Sequence, residues 1–478
     1  MRPHSFLTPA AGRLLAPLTI AALLSACTLG PDYQGPPQAA PHAVQNGRFV
    51  RGDDAALVKA APVNQWWEGL ADPLLNELVL RALAANPNLS VAKARLQQSR
   101  AALNLEKANA MPSADASALY ANARLPPLTS SGSATRTNLY SLGFDASWEV
   151  DIFGGHRRSI QAAGATAEAA EASLADIQVS LAAEVANAYI SLRDRQQRLA
   201  LGDNSVTMQQ QMIALAQQRY ARGTASNLDV IRLQNQLDAT RADQVPLRVE
   251  VDSYLNQLAT LMGEEPGALD QTLAAPAPVP LPPADVPVGD PAALLRHRPD
   301  IRAAERTLAA DTAKIGQAEA ARYPSMKLFG VIGLGGTRAS DLTKLDDFAT
   351  VLAPMLSWNF LDFGRNAARV TQAEEVRNEA EMKYRQTVLE ALRDAEDALS
   401  RFRNGRVSVA TLARTKASAD QALNLVRQRY RAGTTTYIDV LDATRQQISA
   451  QQNLLQAEAN LTRSFVGIQK ALGLGWRS

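Results

Sequence analysis

QQRYARGTASNLDV at residues 217–230 returns as RQRYRAGTTTYIDV at residues 427–440, matching at Tyr220/Tyr430, Gly223/Gly433 and Asp229/Asp439. Each glycine stands where a helix would stop in a left-handed cap. Shortly after it, Ser226-Asn227-Leu228-Asp229 and Thr436-Tyr437-Ile438-Asp439 fit the capping box that opens a new helix. Each stretch therefore reads as helix, tight tip (221–226 and 431–436), helix. On this reading Asp229 and Asp439 serve helix initiation.

The duplication extends outward from the tips. Pro87 and Pro112 recur as Pro299 and Pro324, Trp148 with Phe153-Gly154 as Trp358 with Phe363-Gly364, and Leu261-Met262-Gly263 as Ala471-Leu472-Gly473. One long-period repeat means two copies of a supersecondary unit rather than a solenoid. The copies span 73–265 and 291–474. Between them, 266–290 carries the Pro-rich run AAPAPVPLPPADVPVGD (274–290), expected to be extended and irregular.

Within each copy the pattern predicts a helix, two strands, a very long helix, the tip and a last helix. The first helices, about 73–111 and 291–322, close at Pro-Ser pairs 112–113 and 324–325. Strands follow at about 114–125 and 139–150, and at about 326–335 and 348–361. In the second of these, Tyr140, Leu142, Phe144, Ala146, Trp148 and Val150 alternate with Ser141, Gly143, Asp145, Ser147 and Glu149. The copy keeps the parity through Phe348, Leu352, Leu356, Trp358 and Phe360, and Met326, Leu328 and Ile332 share one face. A half-buried soluble hairpin shows the same alternation.

No proline occurs from 128 to 245 or after 354. Val185, Leu192, Leu199, Val206, Ile213 and Tyr220 recur at seven-residue intervals, and Val388, Leu392, Ala395, Leu399 and Phe402 at threes and fours. This is coiled-coil periodicity. Helices over about 155–220 and 365–430 would each reach ~100 Å at 1.5 Å per residue, longer than a compact domain needs. Helices 227–262 and 437–472 return from the tips.

At the N-terminus, Arg2 and Arg13 precede the apolar run Leu14–Leu24 and then Leu24-Ser25-Ala26-Cys27, with Cys27 the sole cysteine. The layout is that of a secretory signal, residues 1–26. Its end resembles the bacterial lipobox, which implies an S-diacylglycerol and an N-palmitoyl chain on Cys27 and a lipidated segment 27–72. Such chains anchor because each buried methylene contributes ~0.8 kcal/mol. Thr28 in place of an aspartate resembles the sorting signal for the outer membrane.

A net charge of +2 gives no reason to expect a nucleic-acid partner. The four histidines are scattered, so neither a metal site nor any other cofactor is expected. GVIGLGG (330–336) lacks the spacing and following helix of a dinucleotide loop. No triad stands in a nucleophile context, so no enzyme is expected. No stretch after the signal reaches the ~18 apolar residues of a membrane helix. A membrane crossing would need strands, and four are too few to close a barrel in lipid. The barrel would have to be shared between subunits.

The residues now in place resemble the TolC superfamily of outer membrane factors, in its NodT/OprM-type efflux lipoprotein branch. The resemblance is carried by Cys27-Thr28-Leu29-Gly30-Pro31-Asp32-Tyr33, by Trp66-Trp67 ahead of Asp72-Pro73-Leu74, and by the doubled Arg-Tyr-x-x-Gly-Thr tips. It implies a mainly α fold with a β-barrel part: a homotrimer with twelve strands in the outer membrane and a periplasmic α-barrel. It further implies a passive exit duct, docked to a periplasmic adaptor and an inner-membrane pump of the resistance-nodulation-division class. By the same resemblance, Gly223, Thr224, Ser226, Asp229, Gly433 and Thr434 lie at adaptor-docking tips. Asp442, Asp439 and Ile438 match rings that narrow the entrance, with Arg445 available as a charge partner. Asp442 lies one turn beyond the capping box; a solvated i,i+3 pair with Arg445 is its plain alternative. A duct for type I protein secretion and a lipid-tethered scaffold without a pore are the remaining alternatives.

Overall fold

The computed structural model describes residues 28–125, 135–344, 346 and 348–476. The signal segment and Cys27 lie outside them. Among the described residues the principal elements are α1 (Pro73–Ala85), α2 (Pro87–Asn109), β1 (Ser113–Leu125), β2 (Thr135–Val150), α3 (Gly155–Ala221) and α4 (Asn227–Leu261) in the first copy. The second copy holds α5 (Pro291–His297), α6 (Pro299–Ala320), β3 (Ser325–Gly336), β4 (Phe348–Ser357), α7 (Arg365–Arg431) and α8 (Tyr437–Ala471). The chain divides into two compact units.

The first unit comprises Leu96–Ala170, Ala304–Tyr384 and the N-terminal segment up to Pro37. It holds an antiparallel sheet in the order β1-β2-β3-β4. Register sets Phe144 beside Ile332, Leu142 beside Leu334 and then Phe348, and Trp148 beside Leu328. Directly opposed residues share a face, so the apolar alternations of all four strands coincide on one side. That side lies open: Phe144 is 61 %, Leu352 80 % and Leu356 69 % exposed. Gly143 and Gly333 oppose one another on the other side, where a Cβ on Gly333 would lie 2.7 Å from the Leu142 carbonyl oxygen. GVIGLGG is the outer half of β3.

The strand expected to reach 361 stops at Ser357, opposite Ser325. The next residue on β3's side is Pro324, which has no N–H to extend the ladder. Trp358 and Phe360 therefore leave the sheet. The Trp358 indole donates to the Arg322 carbonyl at 3.1 Å, as Trp148 does to Ala110 at 3.0 Å.

The second unit comprises Gln38–Arg95, Glu171–Ala303 and the chain from Arg385 onward. The single helices expected over 73–111 and 291–322 are each two. Asn86 and Arg298, the residues before Pro87 and Pro299, are extended, with ψ of 128° and 124°; the proline ring disfavours helical backbone there. Both breaks hold the C-terminal end of a last helix. The Asn86 amide donates to Leu261 O at 2.7 Å, and the Arg298 guanidinium donates to Ala471 O at 2.9 Å.

The Pro-rich linker is less irregular than expected. It forms a turn of helix at Asp270–Leu273 and a parallel bridge of Val286–Pro287 with Leu57–Val58. Arg193 donates to Ala275 O and Gln196 to Leu273 O, so the long helix itself holds the linker. Val185, Leu192 and Ile213 of the α3 heptad are buried, whereas Tyr220 at its end is 51 % exposed.

Candidate functional site

Both tips use one cap design. Gly223 (φ 73°) and Gly433 (φ 74°) occupy the left-handed region that favours glycine. Gly223 N donates to Tyr220 O and Thr224 N to Arg219 O, both at 2.9 Å; Gly433 and Thr434 repeat the pair at 3.0 Å. These are the two bonds of a Schellman motif. The Thr224 and Thr434 hydroxyls add a second bond to the same Arg219 and Arg429 carbonyls. Ser226 with Asp229, and Thr436 with Asp439, complete capping boxes opening α4 and α8.

Asp439 is committed to its box. Its Oδ2 accepts from Thr435 Oγ1 at 2.5 Å, Thr436 Oγ1 at 2.7 Å and Thr436 N at 2.9 Å. Those bonds hold the carboxyl down at about 2. A lowered folded-state pKa stabilises above the ordinary carboxylate value near ~4 and loses that effect as pH falls toward the folded value. Amide exchange in the first turn of α8, corrected for its intrinsic pH dependence, should stay slow from neutrality to about pH 4 and quicken below it. Asp439→Asn should erase that acid step.

Ile438, Asp442 and Arg445 follow at i, i+4 and i+7 on one exposed stripe of α8, while Val440, Ala443 and Thr444 are buried. Asp442 and Arg445 are both exposed. Each is left facing outward along the same stripe.

The second tip also holds a contact that the sequence did not single out. The Arg219 guanidinium donates to the Tyr430 hydroxyl and lies over its ring, 5.3 Å from the centroid. Tyr430 in turn meets Tyr437 at 5.5 Å between ring centroids. Tyr437 and Leu441 pack on Ile213, Ala216, Leu233 and Leu237 of the first tip. Burial pushes the Tyr437 phenol up to about 12. The two helical hairpins are thus joined by side chains. The available signal was the aromatic Tyr437 standing where the first tip has Asn227.

In the first unit, Arg158, only 3 % exposed, clamps the segment that follows Cys27. It donates to Leu29 O at 2.9 Å and Gly30 O at 2.8 Å, and pairs with Asp32 at 2.8 Å. Leu29 N donates to Phe153 O at 3.2 Å, just past the end of β2. Tyr33 donates to Glu305 at 3.2 Å and sits under Arg306.

The family model described as outer membrane efflux protein matches residues 78–264 and again 291–474, one match per copy. The chain belongs to the outer membrane efflux protein family. Nodulation protein T of Rhizobium leguminosarum bv. trifolii is 28 % identical over 457 residues, covering 95 % of this chain and 96 % of the relative. The toluene efflux pump outer membrane protein TtgF of Pseudomonas putida is 31 % identical, covering 96 % of each. The solved outer-membrane channel OprN superposes with a TM-score of 0.88 at 35 % identity, over 94 % of this chain and 100 % of that one. The fold expected from the resemblance is therefore the fold found: an internally duplicated, mainly helical efflux protein with a four-stranded antiparallel sheet. As an outer membrane efflux protein it is the outer-membrane channel component of an efflux system.

Proposed function

We propose that three copies of this chain close one twelve-stranded barrel in the outer membrane, and that their helices form the periplasmic duct. The observation that carries this is the four-stranded sheet. Its outer strands β1 and β4 pair only inward among the described residues, and its apolar side is uncovered. Unpaired strand edges cost several kcal/mol per group in lipid, so such a sheet must be closed by further copies. Acyl chains on Cys27 tether the segment that Arg158 holds. The chain performs no chemistry; an inner-membrane pump of the resistance-nodulation-division class supplies the energy, coupled through a periplasmic adaptor. Gly223, Thr224, Ser226, Asp229, Gly433 and Thr434 form the docking tips.

Ile438, Asp442 and Arg445 line the entrance as three rings. Carboxylates gathered near one axis repel one another and attract cations. The Arg219–Tyr430 contact holds the two hairpins of each copy together beside them. Single-channel recording of the purified oligomer in a planar bilayer tests the whole reading: a conducting pore is expected, and an oligomer without conductance overturns it. In the same assay Asp442→Ala and Arg219→Ala should each raise conductance or opening frequency. Unchanged traces from both variants would remove the gate from this stripe.

A further inference from the structure

The uncovered side of the sheet ends in an arrangement that barrel closure does not explain. Along β1 and β2, away from the helices, the opposed pairs on this side are Ala118/Leu142, Tyr120/Tyr140, Asn122/Asn138 and Arg124/Arg136. The tyrosine rings meet at 5.0 Å, and Asn122 donates to Asn138 at 2.6 Å. An apolar field thus passes through an aromatic pair and an amide pair to two guanidinium groups. Aromatic girdles mark the lipid–water boundary of outer-membrane barrels. From Trp148 to Arg136 the strand rises roughly 40 Å, or about 30 Å along the normal at a ~40° tilt. That places both arginines just beyond the apolar band.

Like charges directly opposite on a sheet destabilise it; among the described residues neither arginine has an ion pair, and Asp341, packed over Gly336, is taken by Lys344. The same side of β1 and β2 carries no carboxylate: Asp115, Asp145 and Glu149 all stand at odd positions, on the opposite side. The connecting residues PPLTSSGSA (126–134) contain no acidic residue in sequence. The other hairpin differs, since Lys344 there is paired with Asp341 at 3.1 Å. Both Arg124 and Arg136 are exposed.

We propose that Arg124 and Arg136 form a binding site for the phosphorylated headgroup of an outer-leaflet glycolipid. This rests on the barrel reading above. Two adjacent guanidinium forks match the paired oxygens of a phosphate. The tyrosines below them pack against the ligand's acyl chains, while Asn122 and Asn138 stand at the depth of its sugars. The lipid would then neutralise the pair that the chain leaves uncompensated.

The test titrates the purified wild-type oligomer in detergent with bisphosphoryl lipid A by native mass spectrometry. Dephosphorylated lipid A and millimolar inorganic phosphate serve as separate arms. Lipid A is expected to bind, the dephosphorylated form to bind far more weakly, and inorganic phosphate to compete poorly. The double variant Arg124→Gln/Arg136→Gln should lose about 30-fold in apparent affinity, from two basic groups near a membrane surface. The Arg→Lys pair, which keeps the charge but loses the forks, should fall between wild type and the Gln variant, and both variants should conduct as wild type does. Equal binding by the Gln variant or by dephosphorylated lipid A overturns the proposal. Complete displacement by inorganic phosphate overturns it too, marking a site for free anions instead. A wild-type oligomer that forms no pore overturns the barrel reading and this proposal together. A conducting oligomer with unaffected lipid binding overturns this proposal alone.

Discussion

Gly333→Val should abolish the channel. Its Cβ would lie 2.7 Å from Leu142 O and 2.8 Å from Gly143 Cα, and both obstacles are backbone atoms that cannot rotate away. The register confronts it with Gly143, where a Cβ would likewise meet Ile332 O at 2.6 Å. β2 and β3 would have to separate in the middle of the sheet, the one place where the two copies of the repeat are joined by strand pairing. Overpacking costs roughly 1–3 kcal/mol per site, and in the proposed trimer every barrel would carry the insertion three times. The expected result is loss of the heat-resistant oligomer on semi-native gels and of conductance in bilayers. Gly330→Val is the matched control. It lies on the uncovered apolar side, and the nearest neighbours of its Cβ, the Leu352 side chain and Val351 O, are both 3.8 Å away. If Gly333→Val yields a conducting oligomer, the close approach is not required for closure.

Gly316→Val should release the N-terminal segment. A Cβ there would sit 2.5 Å from Leu29 O and 2.8 Å from Arg158 Nε, inside the clamp. Gly30 approaches from the other side with φ 81°, where its own Cβ would be 2.3 Å from Gly316 Cα. Either substitution pushes residues 28–32 off the helices and strips Arg158 of Leu29, Gly30 and Asp32. The Arg158 guanidinium would keep only Gln161, at 3.0 Å, and water would have to take the place of its other partners. Chymotrypsin should then cut at Tyr33 in Gly316→Val and in Arg158→Ala, and spare it in wild type. The thermal dissociation temperature of the oligomer should fall in both variants. Protection of Tyr33 in both would show that the clamp does not hold the segment.

Much of the architecture could be read because it depends on local rules. A glycine able to take positive φ, followed by Ser226 or Thr436 and an acid three residues later, specifies a cap and a new helix whatever surrounds it. Alternation of period two assigned Phe144, Ile332 and Leu352 to one side of the sheet, since a strand cannot turn alternate residues elsewhere. Local rules misplaced two kinds of boundary. The helices over 73–111 and 291–322 break at Asn86 and Arg298, where an X-Pro step is used to hold another helix end. The strand to 361 stops at Ser357 because the residue that precedes its partner strand is Pro324.

The candidate site divides in the same way. The capping box already claims Asp439 in sequence and leaves Asp442 one turn beyond it. Three hydrogen bonds give Asp439 to the cap, and the buried face of α8 turns Asp442 outward with Ile438 and Arg445. Arg219, Tyr430 and Tyr437 escaped notice because they lie in different helices, and nothing in sequence distance brings them together.

By itself, then, the sequence determined the duplication, the type and order of the principal elements, the caps of the tips and the apolar side of three of the four strands. These follow from backbone stereochemistry and from periods of two and seven residues. Only the tertiary structure decided that Arg219 ties one hairpin to the other, that Arg158 grips the segment behind Cys27, and that Arg124 stands opposite Arg136. Each of those is a contact between residues far enough apart in the chain that only packing and strand register could bring them face to face.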